Sequence, residues 1–285
     1  MNKKLSILTV CTFGVFGSMS AQHQPQLGKS PINEIISAMT IDEKVALLVG
    51  FGDEDTPDSI PSATIGFTKK IVPGAAGITH AIPRLGIPSV VLADGPAGLR
   101  IDPKRPGTDS TFYCTHFPVA TSLASTWNAP LVKSVGNAIG NETLEYGVDI
   151  LLAPATNIMR NPLCGRNFEY YSEDPILAGK LTSAMIQGIQ QNGVGTSIKH
   201  FALNNQETNR TGNNVLVSPY VMHELYLKPF EIAIRESTPW TVMSSYNKVN
   251  GEYASENSLL LDSILRRQWG YKGLVMTDWF GGQDA

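Results

Sequence analysis

The sequence predicts an α/β fold of the (β/α)8 barrel type, and three observations lead to this prediction. Short apolar segments alternate with segments that have helical periodicity. The connections lack hairpin turns, which indicates parallel strands joined by crossovers. The apolar segments show little polar alternation, which is typical of strands covered by helices on both faces. A doubly wound sheet fits the same pattern, but no glycine-rich dinucleotide fingerprint follows a strand.

Residues 1–21 have the composition of a secretory signal peptide. Two lysines precede an apolar stretch at residues 5–19, and small residues suit cleavage near Ala21. The stretch is short for a membrane span. We therefore expect a secreted or periplasmic protein with residues 22–285 as its folded domain and no membrane segment after cleavage.

Helix boundaries carry recognisable capping residues. Thr40 and Glu43 match a capping box, and Gly50 is the predicted stop of that helix. Further along, polar residues precede proline near several helix starts, and glycine follows several helix ends. These signals predict further helices that begin at Asn128, Asp174, Ser218 and Ser258, the last of them closing before Gly270.

Six apolar segments are predicted strands, and an earlier one is expected near Ile71 or Gly77. The six are residues 89–92, 117–120, 148–153, 194–198, 241–244 and 274–277. A closed barrel of this type has eight strands. We therefore expect the barrel to be incomplete at its C-terminal end.

Polar side chains follow most of these strands, either directly or within the next loop. The residues are Asp94, Arg166, Lys199, His200, Tyr246 and Asp278, with Trp279 beside the last. A parallel barrel brings such strand ends to one rim, where barrel active sites form. Each residue also has an ordinary structural explanation, such as an Asx turn at Asp94. Their convergence favours a functional site.

These residue types suit the binding of a sugar ring. Asp94 can accept two hydrogen bonds from a vicinal diol, and Arg166, Lys199 and His200 can donate to other hydroxyls. Asp278, next to an aromatic plane, is left as the reacting carboxylate. The sequence has no thiolate–histidine pair, no His-x-x-x-His pair and no Gly-x-Ser-x-Gly elbow. We expect neither a metal nor a cofactor.

The charge and cysteine content narrow the function classes further. The formal net charge is −3 and no basic run occurs, which argues against nucleic-acid binding. Beyond the signal peptide the cysteines are Cys114 and Cys164. They form either one disulfide, which an oxidising compartment permits, or two separate apolar side chains. Without histidines at ligand spacing they do not predict a zinc site.

Linked motifs make the chain similar to glycoside hydrolase family 3, of the β-glucosidase type. The resemblance extends from about Thr40 to the end. The motifs are residues 93–100 (ADGPAGLR), 165–169 (GRNFE), 171–175 (YSEDP), 199–202 (KHFA), 204–208 (NNQET), 243–247 (MSSYN) and 275–279 (VMTDW).

This resemblance implies a retaining β-glycosidase acting on β-linked glucosides or related oligosaccharides. Asp278 would be the nucleophile and would form a covalent glycosyl-enzyme. The residues expected to hold the sugar are Asp94, Arg166, Lys199 and His200. Those expected to line the site are Met243, Tyr246 and Trp279.

Two departures from the family pattern affect the expected acid/base. Members acting on N-acetylglucosamine linkages carry a histidine in a Phe-Pro-Gly-His-Gly segment, whereas residues 201–205 here are Phe-Ala-Leu-Asn-Asn. In the β-glucosidase type the acid/base is a glutamate of a C-terminal α/β sandwich domain, which would lie beyond residue 285. We therefore expect a truncated N-terminal barrel domain that lacks its own acid/base and whose partner is that C-terminal domain. Glu207 is the nearest candidate by motif, but we do not assign it this role.

Other functions remain open on the sequence. The sugar specificity could be that of a β-xylosidase or an N-acetylhexosaminidase. A lysine at a strand end, here Lys199, is also the residue that a Schiff-base lyase uses. A third alternative is a sugar-binding fragment without catalysis.

Overall fold

The computed structural model describes residues 24–49 and 71–282. The signal peptide predicted at residues 1–21 and the helix stop predicted at Gly50 lie outside the described residues and stay predictions. No helix in the described ranges is long and apolar enough to cross a membrane.

Helices and strands alternate along most of the described chain, as the sequence predicts. The α-helices are α1 (Ile32–Ala38), α2 (Ile41–Val49), α3 (Ala120–Ala124), α4 (Ala129–Glu145), α5 (Pro175–Gln190), α6 (Pro219–Val221) and α7 (Lys228–Ser237). Two 3-10 turns (Pro83–Leu85 and Asn167–Glu169) and two π-helical segments (Met222–Tyr226 and Leu259–Gln268) complete the helical elements. The strands are β1 (Gly77–Ile78), β2 (Val91–Asp94), β3 (Ile150–Leu152), β4 (Gly195–Phe201), β5 (Asn214–Val215), β6 (Thr241–Ser244), β7 (Lys248–Val249), β8 (Glu252–Tyr253) and β9 (Leu274–Met276).

The main sheet has six strands in the order β1-β2-β3-β4-β6-β9. From β2 onward all pairs are parallel, with register partners such as Asp94 with Leu152 and Met243 with Met276. The sheet is curled like half of a barrel, and a complete eight-stranded barrel is not seen in the described part of the chain. The α/β class is therefore confirmed, whereas the assignment to an eight-stranded barrel that is incomplete at its C-terminal end stays a prediction.

Two antiparallel strand pairs show that the prediction of only parallel strands without hairpins is wrong. β1 pairs with β2 in the antiparallel direction. β7 and β8 form a hairpin in a second, three-stranded sheet with β5. At its turn Asn250 and Gly251 have φ angles of 50° and 102°, the positive values that two-residue hairpin turns require. The Asn-Gly dipeptide is a strong sequence signal for such a turn, and the prediction overlooked it.

The strand predicted at residues 117–120 is wrong. The segment connects to α3, which already begins at Ala120. Phe117 makes one backbone hydrogen bond, from its N–H to the carbonyl of Ala97, and its ring packs against the core between the sheet and the helices. Apolar composition there reflects burial of side chains on a connection, not pairing in a ladder.

Hydrogen bonds confirm the predicted caps at Thr40, Asn128 and Asp174, whereas Ser258 makes no side-chain cap bond. The Thr40 N–H donates to Oε2 of Glu43 at 2.8 Å, and the Glu43 N–H donates to Oγ1 of Thr40 at 3.2 Å. Asn128 accepts from the N–H of Leu131 at 3.0 Å to start α4. Asp174 caps α5 by accepting two N–H groups, each at 2.8 Å. These bonds satisfy N–H groups that a helix start leaves unpaired.

Alternation along β2 explains why the chemistry lies on the concave face of the sheet. Val91 and Ala93 are buried in the core that α4 and α5 cover. Leu92 packs on the opposite face, with Leu152. Because side chains of a strand alternate between faces, Asp94 shares the face of Leu92.

Close helix packing covers the outer face. An added Cβ on Gly188 of α5 would lie 2.2 Å from the carbonyl oxygen of Lys133 in α4, so only glycine permits this approach.

Cys114 and Cys164 are both free thiols. Of the two readings left open by the sequence, the structure therefore has separate cysteines.

Candidate active site

The C-terminal ends of four parallel strands meet at one rim of the concave face. β2 ends at Asp94, β4 carries Lys199 and His200, β6 carries Met243, and Asp278 lies two residues after β9. The register shift between β4 and β6 falls at Ile198 to Phe201, so it coincides with the polar pair of β4. The Lys199–His200 and Phe201–Ala202 peptide bonds are cis. These strand ends bring the predicted residues together.

Asp94 and Lys199 form a largely buried ion pair across β2 and β4. Lys199 Nζ donates to Oδ1 of Asp94 at 2.9 Å, and the lysine is only 4% exposed. Arg100 Nη2 lies 3.5 Å from the other carboxylate oxygen. Burial acts to raise the pKa of Asp94, but Lys199 and then Arg100 and Arg166 outweigh it and lower the pKa. Asp94 is therefore an ionised acceptor at neutral pH.

His200 is fully enclosed and held on several sides. The side-chain amide of Asn157 makes two hydrogen bonds to its backbone. Asn157 Oδ1 accepts from the His200 N–H at 2.9 Å, and Asn157 Nδ2 donates to the His200 carbonyl at 3.0 Å. On the ring, Nδ1 lies 3.4 Å from the hydroxyl of Tyr170, and Nε2 lies 3.7 Å from Oδ2 of Asp278. Burial, followed by the charges of Arg166, Lys199 and Arg210, holds the pKa of His200 well below its usual range. The imidazole is therefore neutral.

Asp278 is 7% exposed and accepts hydrogen bonds from two neighbours. Its Oδ1 accepts from the backbone N–H of Trp279 at 2.7 Å, and the hydroxyl of Tyr246 also donates to the carboxylate. Burial raises the pKa of Asp278, and these two hydrogen bonds together with Lys199 partly counteract it. The site thus holds one carboxylate with a lowered pKa, at Asp94, and one with a raised pKa. Such a separation is a feature of catalytic sites.

Arg166 lies on the long loop between β3 and α5. Its Nε forms an ion pair with the buried carboxylate of Glu169. Burial works against its charge, but Glu169 dominates and raises the pKa of Arg166, which stays cationic. Its charge also acts on the carboxylates of Asp94 and Asp278. The ion pair with Glu169 therefore holds the guanidinium beside the site, where its positive charge still lowers the pKa of both aspartates.

An apolar floor lies beside the polar groups. It is formed by Ala76, Leu152 and Met243, with Leu92, Met276 and Trp279 packed against them. The indole Nε1 of Trp279 donates to the carbonyl of Ala76 at 3.1 Å, which fixes the ring plane. An added Cβ on Gly77 would lie 3.4 Å from the indole, already in contact with it. A flat ring beside a carboxylate is a surface on which the C–H face of a sugar can pack.

Sequence reasoning missed Arg210, although it follows the 204–208 motif by only two residues. Its guanidinium lies 4.9 Å from the centroid of the Tyr246 ring, and its Nη1 donates to Oε2 of Glu207 at 2.9 Å. The other Glu207 oxygen accepts from Nδ2 of Asn204 at 3.1 Å. Both oxygens of Glu207 are therefore engaged by protein groups.

Tyr170 and Asn157 contact His200 and were not among the predicted site residues. Asn157 lies 43 residues from His200 in sequence, and Tyr170 lies 30. Tyr170 directly follows the 165–169 motif, which is the signal that could have included it. In the described ranges no cluster of three or more His, Cys, Asp or Glu side chains could hold a metal ion.

The family model for the glycosyl hydrolase family 3 N-terminal domain matches residues 81–284. The chain belongs to glycoside hydrolase family 3. The match includes all eight residues predicted for the site, from Asp94 to Trp279.

Two glycosidases are similar to most of this chain. Thermostable β-glucosidase B of Acetivibrio thermocellus is 41% identical over 251 residues, which are 87% of this chain and 30% of that protein. An exo-α-(1→6)-L-arabinopyranosidase of Bifidobacterium longum is 41% identical over 81% of this chain and 31% of that protein. Relatives with the same level of identity to this chain are thus named for different sugars.

Among solved structures, β-glucosidase 3B of Thermotoga neapolitana in complex with glucose is similar in fold. The TM-score is 0.82 at 55% identity, covering 88% of this chain and 34% of that one. The present chain therefore spans about a third or less of the length of these relatives.

Proposed function

We propose that this chain carries the nucleophile and the sugar-binding groups of a retaining β-glucosidase. The observation that supports this most directly is the environment of Asp278. Its carboxylate lies at a strand end on the rim of the sheet, with hydrogen bonds from Tyr246 and from the Trp279 N–H. The Asp94–Lys199 pair lies at the ends of β2 and β4 on the same rim. Family membership and the β-glucosidases among its relatives point to the same chemistry.

In the proposed reaction, a carboxylate oxygen of Asp278 attacks the anomeric carbon while the bond to the leaving-group oxygen breaks. The departing oxygen takes a proton from a general acid, and a glycosyl ester forms on Asp278. Water, giving a proton to the same group, then attacks the anomeric carbon, and the carboxylate leaves. Two inversions give net retention through oxocarbenium-like transition states.

The other side chains are proposed to hold the sugar. Ionised Asp94 accepts hydrogen bonds from ring hydroxyls, and Lys199, Arg166 and His200 donate to further oxygens. The geometry favours this role for Lys199 over Schiff-base chemistry, because its amine is already engaged in the ion pair with Asp94. A Schiff-base lysine has to act as a free amine nucleophile.

We further propose that the general acid comes from outside the described residues. Retaining glycosidases place the second carboxyl about 5–5.5 Å from the nucleophile. Glu207, the nearest candidate by motif, has both oxygens engaged by Arg210 and Asn204. The longer relatives have room for such a group in segments that this chain does not span.

Trapping with an activated fluorosugar tests the nucleophile assignment. A 2,4-dinitrophenyl 2-deoxy-2-fluoro-β-glucoside needs little help from a general acid, because its leaving group is a weak base. We expect one covalent label per chain on the peptide that contains Asp278. A label on a different peptide, or no label on a chain that binds glucose, would contradict the proposal. Parallel trapping with fluorinated xyloside, N-acetylglucosaminide and arabinopyranoside analogues distinguishes the alternative sugar specificities.

In the Tyr246→Phe variant, the fall in labelling rate on the acid side of the pH profile is expected to occur at higher pH than in the wild type. Attack requires ionised Asp278, so the rate falls as pH drops through its raised pKa. The Tyr246 hydroxyl stabilises the ionised form, and its loss raises that pKa further. The measurement is the labelling rate across pH for both proteins. Tyr220→Phe, at an exposed tyrosine, is the control and should leave the profile in place; a shift to lower pH in Tyr246→Phe would contradict the expectation.

A further inference from the structure

The ring of His200 has a neighbour at each nitrogen, and only one of the two is needed for the proposed chemistry. Nε2 lies 3.7 Å from Oδ2 of Asp278. Nδ1 lies 3.4 Å from the hydroxyl of Tyr170, whose ring stands at 78° to the imidazole with centroids 6.4 Å apart. Tyr170 is fully buried and therefore exposes no surface to a bound sugar. Its contact with Nδ1 can therefore influence which nitrogen of His200 carries the proton without contacting the sugar.

The single proton of the Tyr170 hydroxyl has two available acceptors. One is Nδ1 of His200 at 3.4 Å, and the other is the carbonyl oxygen of Asn204 at 3.3 Å. The side-chain amide of Asn204 also lies 3.3 Å from the hydroxyl, but it can only donate to it. The protonation of the imidazole decides between the two acceptors.

The contact with Asp278 favours one of the two positions for the imidazole proton. An ionised carboxylate is only an acceptor. A bare Nε2 would direct its lone pair at Asp278 in a buried site, whereas an Nε2–H directs a positive dipole at it. The neutral ring carries one proton. With that proton on Nε2, Nδ1 is an acceptor, and the Tyr170 hydroxyl is the donor beside it.

We propose that Tyr170 is a positioning residue that fixes His200 in the Nε2–H tautomer. The Tyr170 hydroxyl donates to Nδ1, so the imidazole proton stays on Nε2, the nitrogen that faces Asp278. This N–H can donate to a sugar hydroxyl or to Asp278. Asn157 holds the backbone of the same residue by two hydrogen bonds, so both the position and the protonation of the ring are determined by buried neighbours. The effect on reactivity rests on the proposed function, whereas the tautomer itself does not.

The tautomer can be read directly by NMR of protein labelled with 15N-histidine. The resonances of His200 are assigned by their loss in His200→Asn. In the wild-type chain we expect a protonated Nε2 and an unprotonated Nδ1. In Tyr170→Phe, Nδ1 loses its donor, and we expect the Nδ1–H form to appear. The labelling rate with the activated fluorosugar should fall roughly tenfold, the loss expected for one buried hydrogen bond to a reacting site.

Tyr171→Phe is the matched control because it removes a hydroxyl from the adjacent tyrosine, which is also buried, at 3% exposure. We expect this control to keep the wild-type tautomer and labelling rate. An Nδ1–H tautomer in the wild-type spectrum would overturn the inference, and this spectrum suffices if Tyr170→Phe does not fold. An unchanged tautomer in folded Tyr170→Phe would overturn it as well. If the expected tautomer is found but no label forms on Asp278, the positioning inference stands and the proposed function fails.

Discussion

The Asp278→Asn variant is expected to lose reaction with activated β-glucosides by a factor on the order of 10⁴ or more, the scale measured when a catalytic nucleophile is removed. The substitution keeps the size of the side chain and an oxygen that can accept from the Trp279 N–H. It removes the negative charge, and an amide oxygen is a poor nucleophile. The loss should therefore appear in the chemical step, while glucose binding changes little. Labelling by the fluorosugar and release of dinitrophenol are the measurements.

Two comparisons make this experiment specific. Asp262→Asn replaces an aspartate on the outer surface that pairs with Arg267 and is half exposed, so it should react at nearly the wild-type rate. In Asp278→Gly, added azide can enter from the side of the missing carboxylate. We expect it to form an α-glucosyl azide, because one displacement inverts the anomeric centre. A β-glucosyl azide, or full activity in Asp278→Asn, would refute the assignment of the nucleophile.

The parts of the site that could be predicted from the sequence are those encoded locally. A short apolar strand followed by a polar residue is visible in ten residues of sequence, and it places Asp94, Lys199, His200 and Asp278 at strand ends. Helix caps are equally local, as the bonds of Asn128 and Asp174 show. These features depend on periodicity and on hydrogen bonds between near neighbours.

The parts that could not be predicted depend on contacts between distant segments. Asn157 recognises the backbone of His200 across 43 residues, and no periodicity encodes this pairing. The antiparallel direction of β1 is likewise set by its pairing with β2, a strand more than ten residues further along the chain. Of the apolar residues at 117–120, Ala120 is buried and Phe117 packs against the core, but the sequence does not show that they lie on a connection and a helix start instead of a strand. A single sequence therefore indicates which side chains are inside, and the structure is needed to show what they touch.

Breaking the Asp94–Lys199 ion pair is expected to lower the stability of the folded protein. Asp94→Leu leaves the ammonium of Lys199 buried at 4% exposure without its partner. Removing one member of a buried pair typically costs about 3–5 kcal/mol. The Asp94 side chain is a quarter exposed, so we expect a loss of about 3 kcal/mol in the free energy of unfolding. Lys199→Met should be destabilising for the same reason, because it leaves the carboxylate without its hydrogen-bonded partner and with only the weaker influence of Arg100 and Arg166.

The double variant Asp94→Leu/Lys199→Met distinguishes the pair from the separate side chains. Because no unpaired charge remains, it should lose less stability than the sum of the two single variants. Urea unfolding at neutral pH gives the free energy of unfolding of the wild-type protein and the three variants, and glucose titration should show no binding for the variants.

The lowered pKa of Asp94 means that its charge stabilises the folded state fully above the unfolded pKa of about 3.9. This stabilisation is lost as the pH falls through the lower folded value.

The exposed pair Lys180–Glu236 is the matched control for this cycle. Its Nζ–Oε1 distance of 2.6 Å is shorter than that of the buried pair, but its side chains are 54% and 39% exposed. Lys180→Met and Glu236→Leu should each cost about 0–1 kcal/mol, since water solvates whichever charge remains. If the cycle at Asp94 and Lys199 gave equally small values, burial of the pair would contribute nothing measurable. A stable double variant that still binds glucose would show that neither charge is needed to hold the sugar.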